Sequence, residues 1–135
     1  AQGKGHIVTN MGLESGEVPY TTFMMRKDTI ENEPGFAAAF VRAIYRAQKW
    51  VWAAGDEEVA YAMQSYFPDT DIATLSAVAK SYRATDSWTK VPTMTEDAFT
   101  RLQDILDGAG ELAARIELSE LVDNSFGEAA ISEIG

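Results

Sequence analysis

The stretch that decides the predicted fold is VPYTTFMMRK, residues 18–27. It is rich in aromatic and β-branched side chains, and the alternate positions on both sides of an extended chain are semi-apolar. Such a run is typical of a strand that is buried on two faces in an α/β sheet. Pro19 falls at the first positions of the run, where the missing N–H costs least. The sequence therefore predicts a strand over residues 18–27.

A second, shorter strand is predicted over residues 6–9, where a β-branched run follows a glycine-rich lead. Residues 10–17 contain Gly12 and Gly16 and form the predicted loop between the two strands. Two strands alone do not make an independently stable sheet. Either the chain is a mostly helical domain with a β-ribbon, or another part of the protein supplies further strands. We prefer the second interpretation, which makes the predicted fold class α/β.

After residue 27 the pattern is helical, and it predicts about five helices. Asp28 and Glu31 form a capping-box-like start for a single turn. Pro34 then opens a long helix that Gly55 ends. Its predicted buried stripe has spacings of four, four, three and four and consists of Phe36, Phe40, Ile44, Ala47 and Val51. The later helices are predicted to begin at Asp56, at Thr70 or Asp71, after Thr95, and at Glu120, the last continuing to Ile134.

Composition excludes several classes of function. The 135 residues carry 11 Lys+Arg against 21 Asp+Glu, a net charge of −10, which argues against binding to nucleic acid or to an anionic lipid surface. The chain has no cysteine, which excludes disulfide scaffolds, thiolate metal sites and cysteine nucleophiles. A cysteine-free chain fits the bacterial periplasm or the cell exterior.

The sequence predicts no catalytic residue, no metal site and no cofactor. Its one histidine, His6, has no neighbouring pattern of acids or ligands. None of the common hydrolase, metalloprotease or phosphate-binding fingerprints occurs. The acidic run Asp56, Glu57 and Glu58 is explained by the start of a helix, where carboxylates cap the chain and favour the helix dipole.

Two features are candidates for binding a small polar ligand. One is the predicted loop between the strands, since loops at strand ends are where α/β folds bind their ligands. The other is the indole of Trp88, in a predicted loop between two helices, which either stacks on a ligand or fills the core. A solvated turn explains the first feature equally well. The candidate ligand-binding residues are Asn10, Glu14, Ser15, Tyr20 and Trp88.

The chain resembles a family of transport proteins over nearly its whole length. After Asn32-Glu33-Pro34 it has the pattern FxxAxxxAxxW at Phe40, Ala43, Ala47 and Trp50. Further matches are Pro19-Tyr20, Tyr66-Phe67-Pro68-Asp69, the stretch Trp88, Pro92, Thr95-Glu96 and Phe99, Leu102-Gln103-Asp104, Gly110-Glu111-Leu112, and Leu121-Val122-Asp123 with Phe126 and Ala129. In this order they resemble the solute-binding proteins of ABC importers for nitrate, sulfonates, taurine and thiamine-precursor pyrimidines.

The resemblance implies the C-terminal part of a type II periplasmic-binding-protein fold. Residues 1–27 are then a strand pair and hinge crossing, and residues 28–135 a helical part that packs on the first lobe, with the N-terminal portion of the protein absent. The implied function is capture of a small polar organic or anionic solute in an interlobe cleft, without catalysis, followed by docking onto a membrane permease. The implied location is periplasmic or otherwise extracytoplasmic, free or anchored as a lipoprotein. We also expect the isolated chain to self-associate through its exposed strands.

Two other functions stay open. A self-contained helical interaction or regulatory domain predicts a stable monomer of 135 residues that needs no further strands. An enzyme is the other possibility, because fungal relatives of this family synthesise the thiamine pyrimidine. Those relatives carry a cysteine-rich motif, whereas this chain has no cysteine.

Overall fold

The computed structural model describes residues 8–9 and 11–135, and all regular secondary structure in this part of the chain is helical. The elements are α1 (Met11–Ser15), α2 (Lys27–Asn32), α3 (Pro34–Ala53), α4 (Asp56–Met63), a 3-10 turn (Gln64–Tyr66), α5 (Ile72–Ala84), α6 (Glu96–Gly108), α7 (Leu118–Leu121) and α8 (Ser125–Ile134). Within these residues no helix is long and apolar enough to cross a membrane.

The predicted α/β fold class is wrong for the described residues. Residues 16–26, which include most of the predicted strand, contain neither helix nor strand, and we call them segment 16–26. Val8 and Thr9, the described part of the other predicted strand, are also irregular, and part of the predicted loop forms α1. A strand needs a neighbouring chain to pair its backbone N–H and C=O groups, and segment 16–26 has none among the described residues. Apolar, β-branched composition alone therefore did not produce a sheet.

The predicted helix starts are confirmed where a side chain caps the backbone. Asp71 precedes α5 and accepts a hydrogen bond from the Thr74 N–H at 2.8 Å. Thr95 precedes α6 and accepts one from the Ala98 N–H at 3.2 Å. Pro34 is the first residue of α3, where its fixed φ suits the helix and its missing N–H is not needed.

The predicted last helix is wrong as a single element, because residues 122–124 separate α7 from α8. The Asp123 carboxylate accepts hydrogen bonds from the Ser125 N–H at 2.9 Å and from the Ser125 hydroxyl at 2.6 Å. Such short-range bonds offer the backbone an alternative to a continuous helix. The sequence interruption at Asp123, Asn124 and Ser125 therefore ends one helix and begins another.

The described chain forms two compact units. Unit 1 contains the described residues up to Thr22 together with Met94–Val122. Its core lies along α6, where Ala98, Phe99 and Gln103 are buried. The Gln103 amide donates to the Ile116 carbonyl at 3.1 Å and accepts from the Ile116 N–H at 2.9 Å. This reciprocal pair fixes the chain that follows α6 against the helix.

Unit 2 contains Phe23–Thr93 and Asp123–Gly135. Here α4 packs on α5, and α3 packs on both α2 and α8. The buried apolar residues of this unit are Ala37, Tyr45, Val59, Ala60, Leu75, Ala79 and Ala130. The predicted stripe on α3 is therefore displaced by about one position, since Ala37 and Tyr45 are buried whereas Phe36 and Ala47 are exposed. The prediction that residues 28–135 pack on another lobe stays a prediction.

Candidate ligand-binding site

The predicted ligand-binding residues of unit 1 lie on the surface. Asn10 lies outside the described residues. Glu14 and Ser15 are exposed in the short helix α1, where Glu14 accepts a hydrogen bond from the Thr9 hydroxyl at 3.2 Å. The Ser15 hydroxyl donates to the Gly16 carbonyl at 3.3 Å, and Tyr20 is 97% exposed. These residues share no enclosed pocket in the part of unit 1 that the structure describes, and their ligand role stays a prediction.

Trp88 belongs to unit 2 and is half-buried. Its ring meets that of Tyr82 edge to face, with 5.2 Å between the ring centroids. This geometry is a favourable one for two aromatic rings. The contact gives Trp88 a packing role between α5 and the loop that follows it, and a role in stacking on a ligand stays a prediction.

An open cavity lies in unit 2 where α3 ends. It has a volume of about 370 Å³ and is lined by Lys49, Trp52, Ala53 and Lys90. The first three belong to α3 at spacings of three and four, which place side chains on one face of a helix. Lys90 comes from the loop between α5 and α6. The cavity is therefore formed by one helix face and one loop that approaches it.

Both lysines of the cavity are held by neighbouring groups. The Lys90 ammonium lies 4.5 Å from the centroid of the Trp52 ring, within the range of a cation–π interaction. It also lies 3.5 Å from the Asp86 carboxylate, but both of those side chains are largely exposed. The Lys49 ammonium donates to the main-chain oxygen of Gly135 and lies 5.8 Å from the Tyr45 ring. Among the described residues, Asp86 is the one carboxylate side chain that pairs with either lysine.

Two buried polar atoms beside the cavity lack a hydrogen-bond partner in the described structure. They are the indole Nε1–H of Trp52 and the Oε1 atom of Gln48, which is one helical turn earlier on α3. The amide nitrogen of Gln48 donates to the Val91 carbonyl at 3.4 Å. Buried polar groups are nearly always hydrogen-bonded, so these two solvent-shielded atoms are exceptions among the described residues.

Arg83 fixes the end of α3 that carries the cavity. Its guanidinium donates to the Val51 carbonyl at 3.1 and 2.7 Å and to the Ala54 carbonyl at 2.6 Å. It also pairs with the Asp56 carboxylate at 2.5 Å. The last carbonyls of a helix have no partner within the helix, and a cation there also favours the helix dipole. One side chain of α5 thus joins the end of α3 to the start of α4.

Sequence reasoning missed this cavity. The sequence patterns that predicted the ligand-binding residues did not single out Lys49, Trp52 or Lys90. The spacing of Lys49, Trp52 and Ala53 is a local signal that both cation and ring share a face. Lys90 is separated from Trp52 by 37 residues, so no local sequence pattern indicates that it approaches α3. The described residues also contain no group of three or more His, Cys, Asp or Glu side chains arranged to hold a metal ion.

Comparison with known proteins connects the chain to a binding protein. It is 36% identical, over 132 residues or 98% of its length, to a protein of Bacillus subtilis (strain 168) that is named "Putative binding protein YtlA". The match covers 40% of that relative, so the chain spans less than half of the relative's length. No family model matches the chain. No solved structure matches it. The chain is thus similar, over nearly all of its residues, to part of a protein named for binding.

Proposed function

We propose that this chain is the C-terminal, helical portion of the solute-binding component of an ABC importer. The solute is a small polar organic or anionic molecule of the sulfonate, nitrate, taurine or thiamine-pyrimidine type. The observation that carries the proposal is the 36% identity, over 98% of the chain, to a protein named as a binding protein. The ordered series of motifs that ends in Leu121-Val122-Asp123 supports the narrower assignment to importers.

Exposed apolar surface supports a larger protein around these residues. In segment 16–26, Tyr20 is 97% and Met24 91% exposed. Large apolar side chains exposed to this degree are consistent with a surface that another part of the protein covers. In the proposal, the segment contacts the remainder of a longer protein. The Bacillus subtilis relative is longer in this way, since the match covers 40% of it.

The outer face of α3 is a second surface of this kind. Phe36 and Trp50 lie near its two ends, with Ala39, Ala43 and Ala47 exposed between them. The spacings of three, four, four and three place these five side chains on one side of the helix. Small side chains between two large rings let another helix or strand approach closely. We assign this face to the same occupant, the remainder of the longer protein.

The mechanism in this proposal is capture without covalent chemistry. Two lobes close around the solute by a hinge movement, and the closed protein docks on a membrane permease. The protein works outside the cytoplasm, either free or anchored as a lipoprotein. It has no catalytic step, so specificity depends on the affinity of the closed state for each solute.

A thermal-shift screen on the protein encoded by the full reading frame tests the proposal. The probes are taurine, sodium nitrate, an alkyl sulfonate and the hydroxymethyl pyrimidine of thiamine, with sodium chloride as the ionic-strength control. A solute present at 100 times its Kd stabilises the protein by about 2.7 kcal/mol and raises the Tm by several degrees. If none of the four probes raises the Tm above the chloride control, the proposed solute class is wrong.

The helical architecture of residues 11–135 favours a second candidate function, a self-contained helical interaction or regulatory domain. The two proposals differ in the behaviour of the isolated 135-residue chain. As part of an importer component, the chain self-associates or unfolds at a low temperature because its apolar surface lacks its cover. As a self-contained domain, it sediments as a compact monomer with a cooperative, high-temperature melt. Analytical ultracentrifugation with a thermal melt distinguishes these outcomes.

A further inference from the structure

Two side chains of α6 hold the irregular chain of unit 1. Gln103 bonds to the Ile116 backbone, on the stretch that follows the helix. The half-buried side chain of Arg101 bonds to the start of segment 16–26, where its Nη1 atom donates a hydrogen bond to the Glu17 carbonyl at 2.8 Å. Arg101 and Glu17 are 84 positions apart in the sequence, so this bond joins two distant stretches of unit 1.

The backbone at Gly16 leaves room for the guanidinium of Arg101. Gly16 has a φ of +80°, a conformation that glycine adopts without the steric penalty of a side chain. A Cβ atom at this position would lie 3.1 Å from Cζ, 3.3 Å from Nε and 3.4 Å from Nη1 of Arg101. The guanidinium therefore lies against the bare backbone of Gly16 and bonds to the carbonyl of the next residue. Arginine suits this double contact because its charged group is planar, whereas that of lysine is a compact ammonium.

The bond from Arg101 fixes one end of an exposed apolar stretch. Later in segment 16–26, the rings of Phe23 and Phe40 meet edge to face, with 5.2 Å between their centroids. Tyr20 lies between these two contacts in the sequence and is 97% exposed. The contact at Glu17 therefore limits how far the chain that leads to Tyr20 can move away from α6.

We propose that Arg101 is a clasp that holds the start of segment 16–26 on α6 and keeps its apolar side chains in place for the part of the longer protein that covers them. The same hydrogen bond occupies the Glu17 carbonyl oxygen and protects the Glu17–Val18 peptide bond from proteases. The clasp rests on the contacts of Arg101 with Gly16 and Glu17. The nature of the cover rests on the proposed function, in which segment 16–26 contacts the remainder of a longer protein.

Digestion with a glutamate-specific endoprotease tests the clasp at the bond that it protects. Such a protease binds the carbonyl of the cleaved bond in its oxyanion hole, so the Glu17 carbonyl must leave Arg101 before the Glu17–Val18 bond is cut. The 135-residue chain is digested at low temperature and low concentration, and the fragment that begins at Val18 is quantified by mass spectrometry. Glu111, which is exposed in the loop after α6, is the internal control site.

Three variants identify the group responsible. Arg101→Gln is expected to raise the rate of cleavage at Glu17 about three- to tenfold, because loss of one hydrogen bond from a charged donor increases the open population and cleavage follows that population. Arg101→Lys keeps the charge and one donor, so it restores part of the protection. Arg115→Gln removes an equal charge, which pairs with Asp104 and Asp107 of α6, and leaves the rate at Glu17 unchanged.

Equal rates of cleavage at Glu17 in the wild type and in Arg101→Gln overturn the clasp. An equal rise at Glu17 and at Glu111 also overturns it, because the substitution has then loosened unit 1 as a whole. The protein of the full reading frame tests the cover separately, since a covered segment resists cleavage at Glu17 both in the wild type and in Arg101→Gln. Rapid cleavage at Glu17 in that protein contradicts the proposed cover and leaves the clasp standing.

Discussion

The junction of α3, α4 and α5 and segment 16–26 show how similar side chains reach opposite environments. At the junction, Val59 is 1% exposed, and Leu75 and Ala79 are buried against it by the packing of α4 on α5. In segment 16–26, Tyr20 and Met24 are almost fully exposed. Both regions are rich in apolar residues. They differ because α4 and α5 bury apolar side chains where they pack on each other. Segment 16–26 is held at separate points, by the edge-to-face contact of Phe23 with Phe40 and by the hydrogen bond from Arg101 to the Glu17 carbonyl, and Tyr20 and Met24 stay exposed.

An apolar pattern in the sequence thus specifies which side chains form a surface to be buried, but not which part of the protein covers that surface. A helix satisfies its backbone hydrogen bonds internally, so α4 and α5 need each other only to bury their apolar side chains. A strand needs its neighbour for the backbone bonds themselves. Apolar side chains are therefore buried at the junction, whereas Tyr20 and Met24 of segment 16–26 stay exposed. Four sets of substitutions test how strongly the stability of the helical packing and of segment 16–26 depends on single residues.

The largest effect is expected at Arg83. Arg83→Met removes the bonds to Val51, Ala54 and Asp56 and leaves a partly buried carboxylate without its cation. We expect a loss of about 2–3 kcal/mol in the free energy of unfolding, measured by urea denaturation followed by circular dichroism. Arg83→Lys keeps the charge but loses the planar fork, so it recovers part of the loss. Arg46→Met on the exposed side of α3 is the control, and an equal loss there would contradict the assigned role.

Gly127→Ala is expected to have the next largest effect. A Cβ atom at Gly127 would lie 2.4 Å from the Pro92 carbonyl oxygen and 2.8 Å from the Thr93 methyl carbon. The backbone of α8 or of the loop must then shift, at a cost of about 1–3 kcal/mol.

Gly35→Ala on α3 is the matched control, because nothing lies within 4 Å of its Cβ position. That change is expected to stabilise the protein by about 0.4–1 kcal/mol through the lower entropy of the unfolded chain. Thermal melts of both variants should thus move in opposite directions. A rise in Tm for Gly127→Ala means that α8 does not approach Pro92 this closely.

A smaller, pH-dependent effect is expected at the start of α5. Hydrogen bonds from the Thr74 N–H and then from the Thr74 hydroxyl lower the pKa of Asp71 below its ordinary value of 3.8. Since the pKa is lower in the folded chain, the stabilisation by Asp71 is present above pH 3.8 and is lost as the pH falls through the folded-state pKa. Asp71→Asn should remove this contribution to the pH dependence of Tm between pH 5 and 2. If wild type and variant lose Tm in parallel, the Asp71 cap does not titrate with folding.

The smallest effect is expected in segment 16–26. Tyr20→Ser and Met24→Ser remove exposed side chains, so each should change the stability of the 135-residue chain by less than about 0.5 kcal/mol. In the protein of the full reading frame, the proposed cover makes the same changes destabilising by about 1.5–3 kcal/mol each. Urea denaturation of both proteins provides the two values. If the substitutions change the free energy of unfolding by almost nothing in both proteins, the segment is exposed in the whole protein as well, which contradicts its proposed role.

Local chemistry made much of the helical architecture predictable. The caps at Asp71 and Thr95 and the start at Pro34 need residues within four positions of one another, and all three were identified. The fold class could not be predicted, because a strand depends on pairing that the local sequence does not encode.

The candidate site was beyond local reasoning for a related physical reason. Lys49 and Trp52 share a helix face by spacing, but the cavity exists only because the loop with Lys90 returns to that face. The loop is held there by the Gln48 side chain, which donates to the Val91 carbonyl at 3.4 Å, and by its close approach to Gly127 of α8. The residues predicted for ligand binding, Glu14, Ser15 and Tyr20, were chosen for a loop between two strands. No such strand pair forms in the described chain, so the geometric reason for choosing them is lost.

The close approach of Gly127 to Pro92 has a mechanical consequence for the cavity. At this point α8 lies against the backbone carbonyl of Pro92 and the methyl group of Thr93, with no room for a Cβ atom at Gly127. Lys90 lies two residues before Pro92 on that loop, and the residue that follows α8, Gly135, accepts the hydrogen bond of Lys49. Helix α8 therefore constrains both lysine-bearing segments, Lys90 through the loop at Pro92 and Lys49 through the hydrogen bond to Gly135.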